Sequence, residues 1–334
     1  MDRMDFVQGV VRTKVIEKRL LSKAQIDRMV DAKDIDEVFR MLNETEYSNG
    51  IANISRSEDY EKILSEELKR VYKLMREIAK EDQIVVDLLA LKYDYHNLKV
   101  LLKEKILNTD LSQNYIPIGT IDIQKLKNDF LTDNYEEIKK EFREALETAI
   151  KDYDETNDPQ RIDIVLDKIY FSHLYKMAKS TGIELFIEYV EDSIDFINVK
   201  TLIRIKKQNK DINFLEDVLL PNGKIDKNDI VLSLNDSIDI IINKFKNYRI
   251  SEELKKGLES YQETNHLSDF EKYMDDYLME LNKRSKNIIF GPEPIFSYII
   301  AKETEIKVLR IIMVSKLNDL SPEDIRERLR DLYV

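Results

Sequence analysis

Residues 291–334 read GPEPIFSYIIAKETEIKVLRIIMVSKLNDLSPEDIRERLRDLYV, and this stretch decides the fold class. Pro292 and Pro294 suit a helix start, because the amide protons they lack belong to the first turn, where no intrahelical acceptor exists. The pattern predicts one long helix from there to about Lys316. Laid out on a helix, Ile295, Tyr298, Ile299, Ile306, Leu309, Met313 and Leu317 form one stripe, so a single buried face is expected. Lys302 interrupts that stripe. It must either pair, with Glu305 the nearest candidate, or snorkel its ammonium to water. Ser321, Pro322 and Asp324 supply an N-cap, an N1 proline and an acidic N3 for a second helix, Glu323 to Leu332.

Composition extends the all-α reading to the whole chain. Seven Gly and six Pro in 334 residues are about a third of the usual share, so turn and bulge chemistry is scarce. Charged residues make up 35% of the chain, mixed in sign, as expected of many solvated helix faces. The net charge of −12 disfavours a phosphate backbone as partner, and no local basic patch stands out to overcome it. With no cysteine there is no disulfide framework and no thiolate chemistry, which fits a reducing compartment. The MDRMDF start lacks the plan of a signal peptide, and no run approaches the ~18 apolar residues of a membrane span. A cytoplasmic location is expected.

Turn and cap signals order the rest. Asp2 to Leu20 reads as helical, Ser22 caps a short helix through Val30, and Asp34 to Leu42 makes another. Thr45 to Ser55 reads as a loop. Ser57 starts a long helix with Tyr60, Leu64, Leu68, Val71 and Met75 on one face, and a second runs from about Asp82 to Lys105. Asp122 caps the next short helix, followed by Tyr135 to Tyr153. DETNDPQ, 154–160, is linker-like. Two long helices follow, Ile162 to Lys179 and Ile183 to Lys207, divided by Gly182. LPNGKID, 220–226, marks another boundary, and short helices start at Asp226, Asn235 and Ser251 before a long one from Ser268 to about Ser285.

Internal spacing carries more than any one segment. Leu21-Ser22-x-x-x-Ile26, Ile121-Asp122-x-x-x-Leu126 and Ile225-Asp226-x-x-x-Ile230 share an apolar residue, a cap and a second apolar residue, with caps 100 and 104 residues apart. Eight beyond each cap stand Val30, Phe130 and Leu234, and sixteen beyond stand Val38, Ile138 and Ile242. Gly119-Thr-Ile-Asp and Gly223-Lys-Ile-Asp sharpen the later two copies. A second marker recurs independently: Asn97-Leu98-Lys99-Val100-Leu101, Asn198-Val199-Lys200-Thr201-Leu202 and Glu305-Ile306-Lys307-Val308-Leu309, each preceded by a charge three residues earlier at Asp94, Asp195 and Lys302. Three similar helical modules are expected, 1–115, 116–220 and 221–334, each near domain size. The repeated polar residues read as structural, with Lys99, Lys200 and Lys307 holding equivalent inter-helix ion pairs.

Catalytic patterns are lacking. His96, His173 and His266 include no i,i+4 pair for zinc, and His96 reads as an ordinary, partly buried helix residue. Gly223-Lys224 has Val218 where a P-loop requires Gly, and no two glycines stand one residue apart as in a dinucleotide loop. Asp275-Asp276, Glu66-Glu67 and Glu252-Glu253 are adjacent carboxylates, pointing about 100° apart on a helix and placed on expected solvent faces. Glu263-Thr-Asn-His266 is the sole Glu-x-x-His match, in an expected loop. No catalytic residue, cofactor or metal site is assigned.

GPEP, then AKETEIKVLRII, SKLN and IRERLRDLYV resemble the C-terminal signature of the C-type subunits of bacterial and archaeal V-type ATPases, a family that includes the d-type subunit of the eukaryotic vacuolar enzyme. Val11 and Arg12, the Thr45-Glu46-Tyr47 turn and Asn97-Leu98-Lys99 are similar to that family too. Asp319 and Ser315 stand where the pattern favours Gly. The resemblance implies a funnel of three similar modules with pseudo-threefold symmetry, set on the cytoplasmic face of the proteolipid rotor ring and receiving the central axle, made of the D and F subunits. Such a protein is a non-catalytic rotor part of the central stalk. It carries torque for ATP-driven or ATP-forming ion transport, binds no nucleotide itself, and meets the membrane only through the ring. A free-standing helical-repeat adaptor shares the composition and period, and a helical enzyme would require buried, perturbed carboxylates.

Overall fold

The computed structural model of the chain describes residues 2–80, 82–132 and 134–334. Among them every regular element is helical, and the protein is all-α. The first helices are α1 (Val7–Glu17), α2 (Lys23–Asp31), α3 (Ile35–Leu42), α4 (Ser48–Ala52), α5 (Tyr60–Ala79) and α6 (Ile84–Leu107). They are followed by α7 (Ile123–Leu131), α8 (Lys140–Thr156), α9 (Pro159–Thr181), α10 (Glu184–Lys207), α11 (Ile212–Val218), α12 (Lys227–Leu232) and α13 (Ile238–Phe245). The last are α14 (Ser251–Thr264), α15 (Ser268–Lys283), α16 (Glu293–Leu317) and α17 (Pro322–Arg328), with short 3-10 turns interspersed.

Caps explain most of the starts. Ser22 forms a full capping box with Gln25, and the side chains of Asp34, Asp122, Asp226 and Ser321 each accept a first-turn N–H, contacts of about 1 kcal/mol each. Gly182 ends α9 at φ +68°, the left-handed conformation for which glycine carries no Cβ penalty.

Several boundaries differ from the sequence expectation, each for a local reason. α4 interrupts the expected loop 45–55, and α11, capped by Asp211, has no counterpart among the expected helices. The linker-like 154–160 segment is a tight turn. α8 runs to Thr156, Asn157 turns left-handed at φ 54°, and Asp158 caps α9. α13 is capped by Ser237 rather than Asn235, so Ile241 is fully buried and Ile242 only partly so. Four residues past its cap, Ile241 matches Val38, four past Asp34. α17 stops at Arg328 because the following residues bond to α15 instead: Arg330 Nε reaches Asp275 at 2.9 Å and the Asp331 amide reaches Asp276 at 2.7 Å.

The helices form two compact units. One comprises residues 1–86 and 250–334, the other residues 87–249. In the first, α16 packs against α5, α1, α15, α2, α3 and α17. Its core joins Leu21, Val30, Val38, Leu42 and Ile63 to Val308, Leu309, Ile312 and Met313. Because neighbours cover it on several sides, α16 is buried all round over Glu293 to Lys302 rather than on one stripe, while Leu317 is 37% exposed. In the second unit, α9 packs against α8 and α10, and α10 also meets α11 and α12. Among the described residues no helix is long and apolar enough to cross a membrane.

Candidate functional site

The repeated polar residues of α6, α10 and α16 grip backbone elsewhere in the chain. On α6, Asp94 accepts from the amides of Thr120 and Ile121 at 2.9 and 3.0 Å and from the Thr120 hydroxyl. One turn on, Asn97 clamps Ile116 from both sides, donating to its carbonyl and accepting from its amide, each at 2.9 Å. On α10, Asp195 accepts from Lys224 and Ile225, both at 3.0 Å, and Asn198 clamps the Leu220 carbonyl and amide at 3.0 and 2.8 Å. In both copies the gripped segment leads into a capped short helix, α7 or α12. Neither segment has strand or helix partners for these amides, so the carboxylate and carboxamide supply what secondary structure would.

The shared glycines belong to this geometry. A Cβ on Gly119 would collide with the Asp94 carboxylate, and one on Gly223 with that of Asp195. The aspartate lies over a backbone that only glycine leaves open.

On α16 the chemistry changes and the target does not. Lys302 cannot accept from an amide, and Glu305, at the Asn position, has no N–H to donate. Glu305 Oε2 accepts from the Leu21 amide at 2.6 Å, immediately before the Ser22 cap of α2, and its other oxygen accepts from the Tyr47 hydroxyl at 2.7 Å. Lys302 is fully buried and pairs with Glu305 at 2.7 Å and with Glu67 of α5 at 2.9 Å. Glu67 is held in turn by Arg70, and Arg70 and Arg19 both meet Glu46. Desolvation acts to strip the Lys302 proton, but Glu305 and Glu67 outweigh it and hold the ammonium above the ordinary lysine range. Burial, reinforced by Glu305 and Glu67, keeps the Tyr47 phenol well above its usual value, so it stays a donor. With Lys302 in place of aspartate, Arg19 stands at the position held by Gly119 and Gly223 in the other copies.

Each long helix therefore holds the segment entering the next copy's short helix, and the third holds the first. The lysines of the motif lie farther out. Lys99 pairs with Asp167 at 2.6 Å, and Lys307 pairs with Asp275. Lys200 lines, with Arg204, Asp163 and Asp167, a cleft of about 540 Å³.

Two features escape a reading of the sequence. Glu67 is expected on a solvent face with Glu66; Glu66 is exposed, but Glu67 is buried. Its signal is Arg70, one turn on. The second is a buried acidic face on α10: Glu188, Glu191, Asp192 and Asp195, at i, i+3, i+4 and i+7. Arg249 reaches Glu188 at 2.7 Å and Asp192 at 2.8 Å, and Lys224 reaches Glu191 at 3.2 Å. Burial pushes the Asp195 carboxyl up to about 7; its two backbone donors oppose this, while Asp192 and Glu191 add to it. The remaining candidates are ordinary. His96 Nε2 bonds the Asn114 carbonyl at 2.9 Å, and of the expected loop pair Glu263 lies in the last turn of α14 while His266 follows its end.

Comparison with known proteins agrees over nearly the whole chain. A family model described as "ATP synthase (C/AC39) subunit" matches residues 10–328. The chain is 27% identical over 317 residues to the C-type subunit of the V-type sodium ATPase of Enterococcus hirae, covering 95% of each. It is 27% identical over 345 residues to the C-type subunit of the A-type ATP synthase of Methanocaldococcus jannaschii, covering 98% of this chain and 86% of the relative. To the corresponding protein of Archaeoglobus fulgidus it is 24% identical over 330 residues, with 96% and 94% covered.

Proposed function

The chain belongs to the ATP synthase (C/AC39) subunit family, and from that premise we propose that it is the central-stalk rotor subunit of a V-type or A-type ATPase, joining the D and F axle to the proteolipid ring. Membership makes it a structural subunit of the complex, not catalytic by itself. In this reading the sequence modules 1–115, 116–220 and 221–334 form a funnel with pseudo-threefold symmetry, seated peripherally on the cytoplasmic face of the membrane. Torque passes through the funnel during ATP-driven or ATP-forming ion movement.

The observation that carries the reading is the match across residues 10–328. The three grips support it mechanically, because a torque-bearing part must not shear between its helices. Side chains that hold backbone atoms of a neighbouring segment oppose such sliding more directly than apolar contacts, which are non-directional. The grip residues Asp94, Asn97, Asp195, Asn198, Lys302 and Glu305 are then structural, as are Lys99, Lys200 and Lys307. The test is co-sedimentation of the purified chain with ring-containing membranes, with and without the D and F subunits. Binding to both partners is expected; failure to bind either refutes the coupling.

A further inference from the structure

Among the described residues one face of α1 is left without a partner. The helix buries Val10 and Thr13 and seats Gly9 against Ile78 and Ile295, which fixes it to α5 and α16. Its other side carries a second apolar stripe: Val11 is 62% exposed, Val15 56%, and Met4, just ahead of the helix, 60%. Val7, half-buried, continues the row, since positions four apart share a helix face. Exposed Arg12 and Lys18 flank it and hold no ion pair among the described residues. The ammonium of exposed Lys80 donates to Gln8, at 2.8 Å. Of the basic residues between 3 and 19, Arg3, Lys14 and Arg19 are paired with Glu293, Glu17 and Glu46, which leaves Arg12 and Lys18 as the cations beside the stripe.

We infer that this face of α1 is a docking surface for an amphipathic helix of another protein of the same complex, one whose small apolar stripe is edged by aspartate and glutamate. The inference rests on the rotor-subunit reading above. Charge complementarity selects the acidic edge. The uncompensated cations around the valines favour a partner of opposite sign, which also steers encounter. A lipid surface fits less well. Interfacial membrane helices insert bulky Trp, Phe or Leu side chains, whereas this stripe offers valines and one methionine on a helix already held by its opposite face. Exposed Ile289 and Phe290 belong to the segment before α16, where the Phe290 carbonyl accepts from Arg3 at 2.8 Å.

The experiment places a photo-crosslinking residue, p-benzoylphenylalanine, at Val11 or, as control, at Lys255, an exposed position on α14, in the assembled ATPase complex. The expected result is a protein adduct from position 11 only, mapping to an acidic amphipathic helix. The double variant Val11→Glu with Val15→Glu keeps the wild-type unfolding midpoint but binds the remaining complex roughly a hundredfold more weakly. Overturning results are silence at Val11, an adduct to a segment without acidic flanks, undiminished binding of the double variant, or capture by phosphatidylglycerol vesicles that the double variant abolishes. If the unaltered chain fails to join the complex, the rotor-subunit reading itself fails. If it joins and Val11 is silent, only the docking face falls.

Discussion

Replacing Lys302 by Met tests the third grip directly. Methionine fills similar volume but removes the ammonium that sits 2.7 Å from Glu305 and 2.9 Å from Glu67. Breaking a buried ion pair by deleting one partner typically costs about 3–5 kcal/mol, because the abandoned charge stays desolvated. The loss here falls toward the lower end. Arg70 still bonds Glu67 through two nitrogens, at 2.7 and 2.9 Å, and Glu305 keeps the Leu21 amide and the Tyr47 hydroxyl. A destabilisation of about 3 kcal/mol is therefore expected, confined to the unit formed by residues 1–86 and 250–334. Hydrogen exchange of α2, α3 and α16 in native buffer measures it, because urea unfolding of a two-unit chain need not be two-state. The pH dependence discriminates further. In the wild type Lys302 is held above its ordinary value of 10.5. Its contribution is therefore complete below that value and drains only as pH rises through the raised one. Adding Glu305→Gln, which retains an acceptor for Leu21, recovers part of the loss. A Lys302→Met protein within about 0.5 kcal/mol of wild type, or no recovery in the double variant, refutes the reasoning.

Three further expectations concern the other grips. Because the folded Asp195 carboxyl lies near 7 against an ordinary 3.8, its contribution is complete below about 4 and is lost as pH rises toward 7. Asp195→Asn should remove roughly 4 kcal/mol of pH-dependent stability from the 87–249 unit across that window, read as the difference between the two proteins' unfolding free energies at each pH. Asn198→Ala strips both partners from the buried Leu220 amide and carbonyl and should cost roughly 2–3 kcal/mol, seen as faster exchange at Leu220, whereas a polar residue on an exposed helix face would cost far less. Gly223→Ala drives a methyl into the Asp195 carboxylate and should destabilise by about 1–3 kcal/mol. Combined with Asp195→Ala the penalty should largely vanish, and additive losses in that double variant would contradict the close-approach account.

The helices, their caps and the repeat were legible because they are local. Ser22, Asp34, Asp122, Asp226 and Ser321 each announce themselves within four residues, and the 100-residue period needs only counting. Surroundings were not legible. The α16 stripe shows where apolar residues lie, but not that six helices cover the others. Glu66 and Glu67 look alike in sequence, and only the fold puts one in water and the other against Lys302. The grip residues stand out as a pattern without their task. The Asp or Asn side chain names a possible acceptor, while the amide it meets lies some 20 to 30 residues away in the first two copies and 284 in the third. The Gly119 and Gly223 matches carried that information in hidden form, since glycine returns where an aspartate crosses the backbone and gives way to Arg19 in the copy whose aspartate is replaced by Lys302.

The bond between Glu305 and the Leu21 amide spans 284 residues, and that span orders how the molecule can be made. As the chain leaves the ribosome, α6 meets its target segment within about one module, and so does α10. The first unit has to wait. Residues 1–86 emerge with Glu67 lacking its ammonium partner and with the faces of α2, α3 and α5 uncovered, and α16 is almost the last element to appear. Contacts of such separation are paid for in loop-closure entropy before they return anything. The middle of the chain is thus positioned to fold first, and truncation within α16 would leave a half-built N-terminal unit for chaperones and proteases rather than a slightly shortened protein.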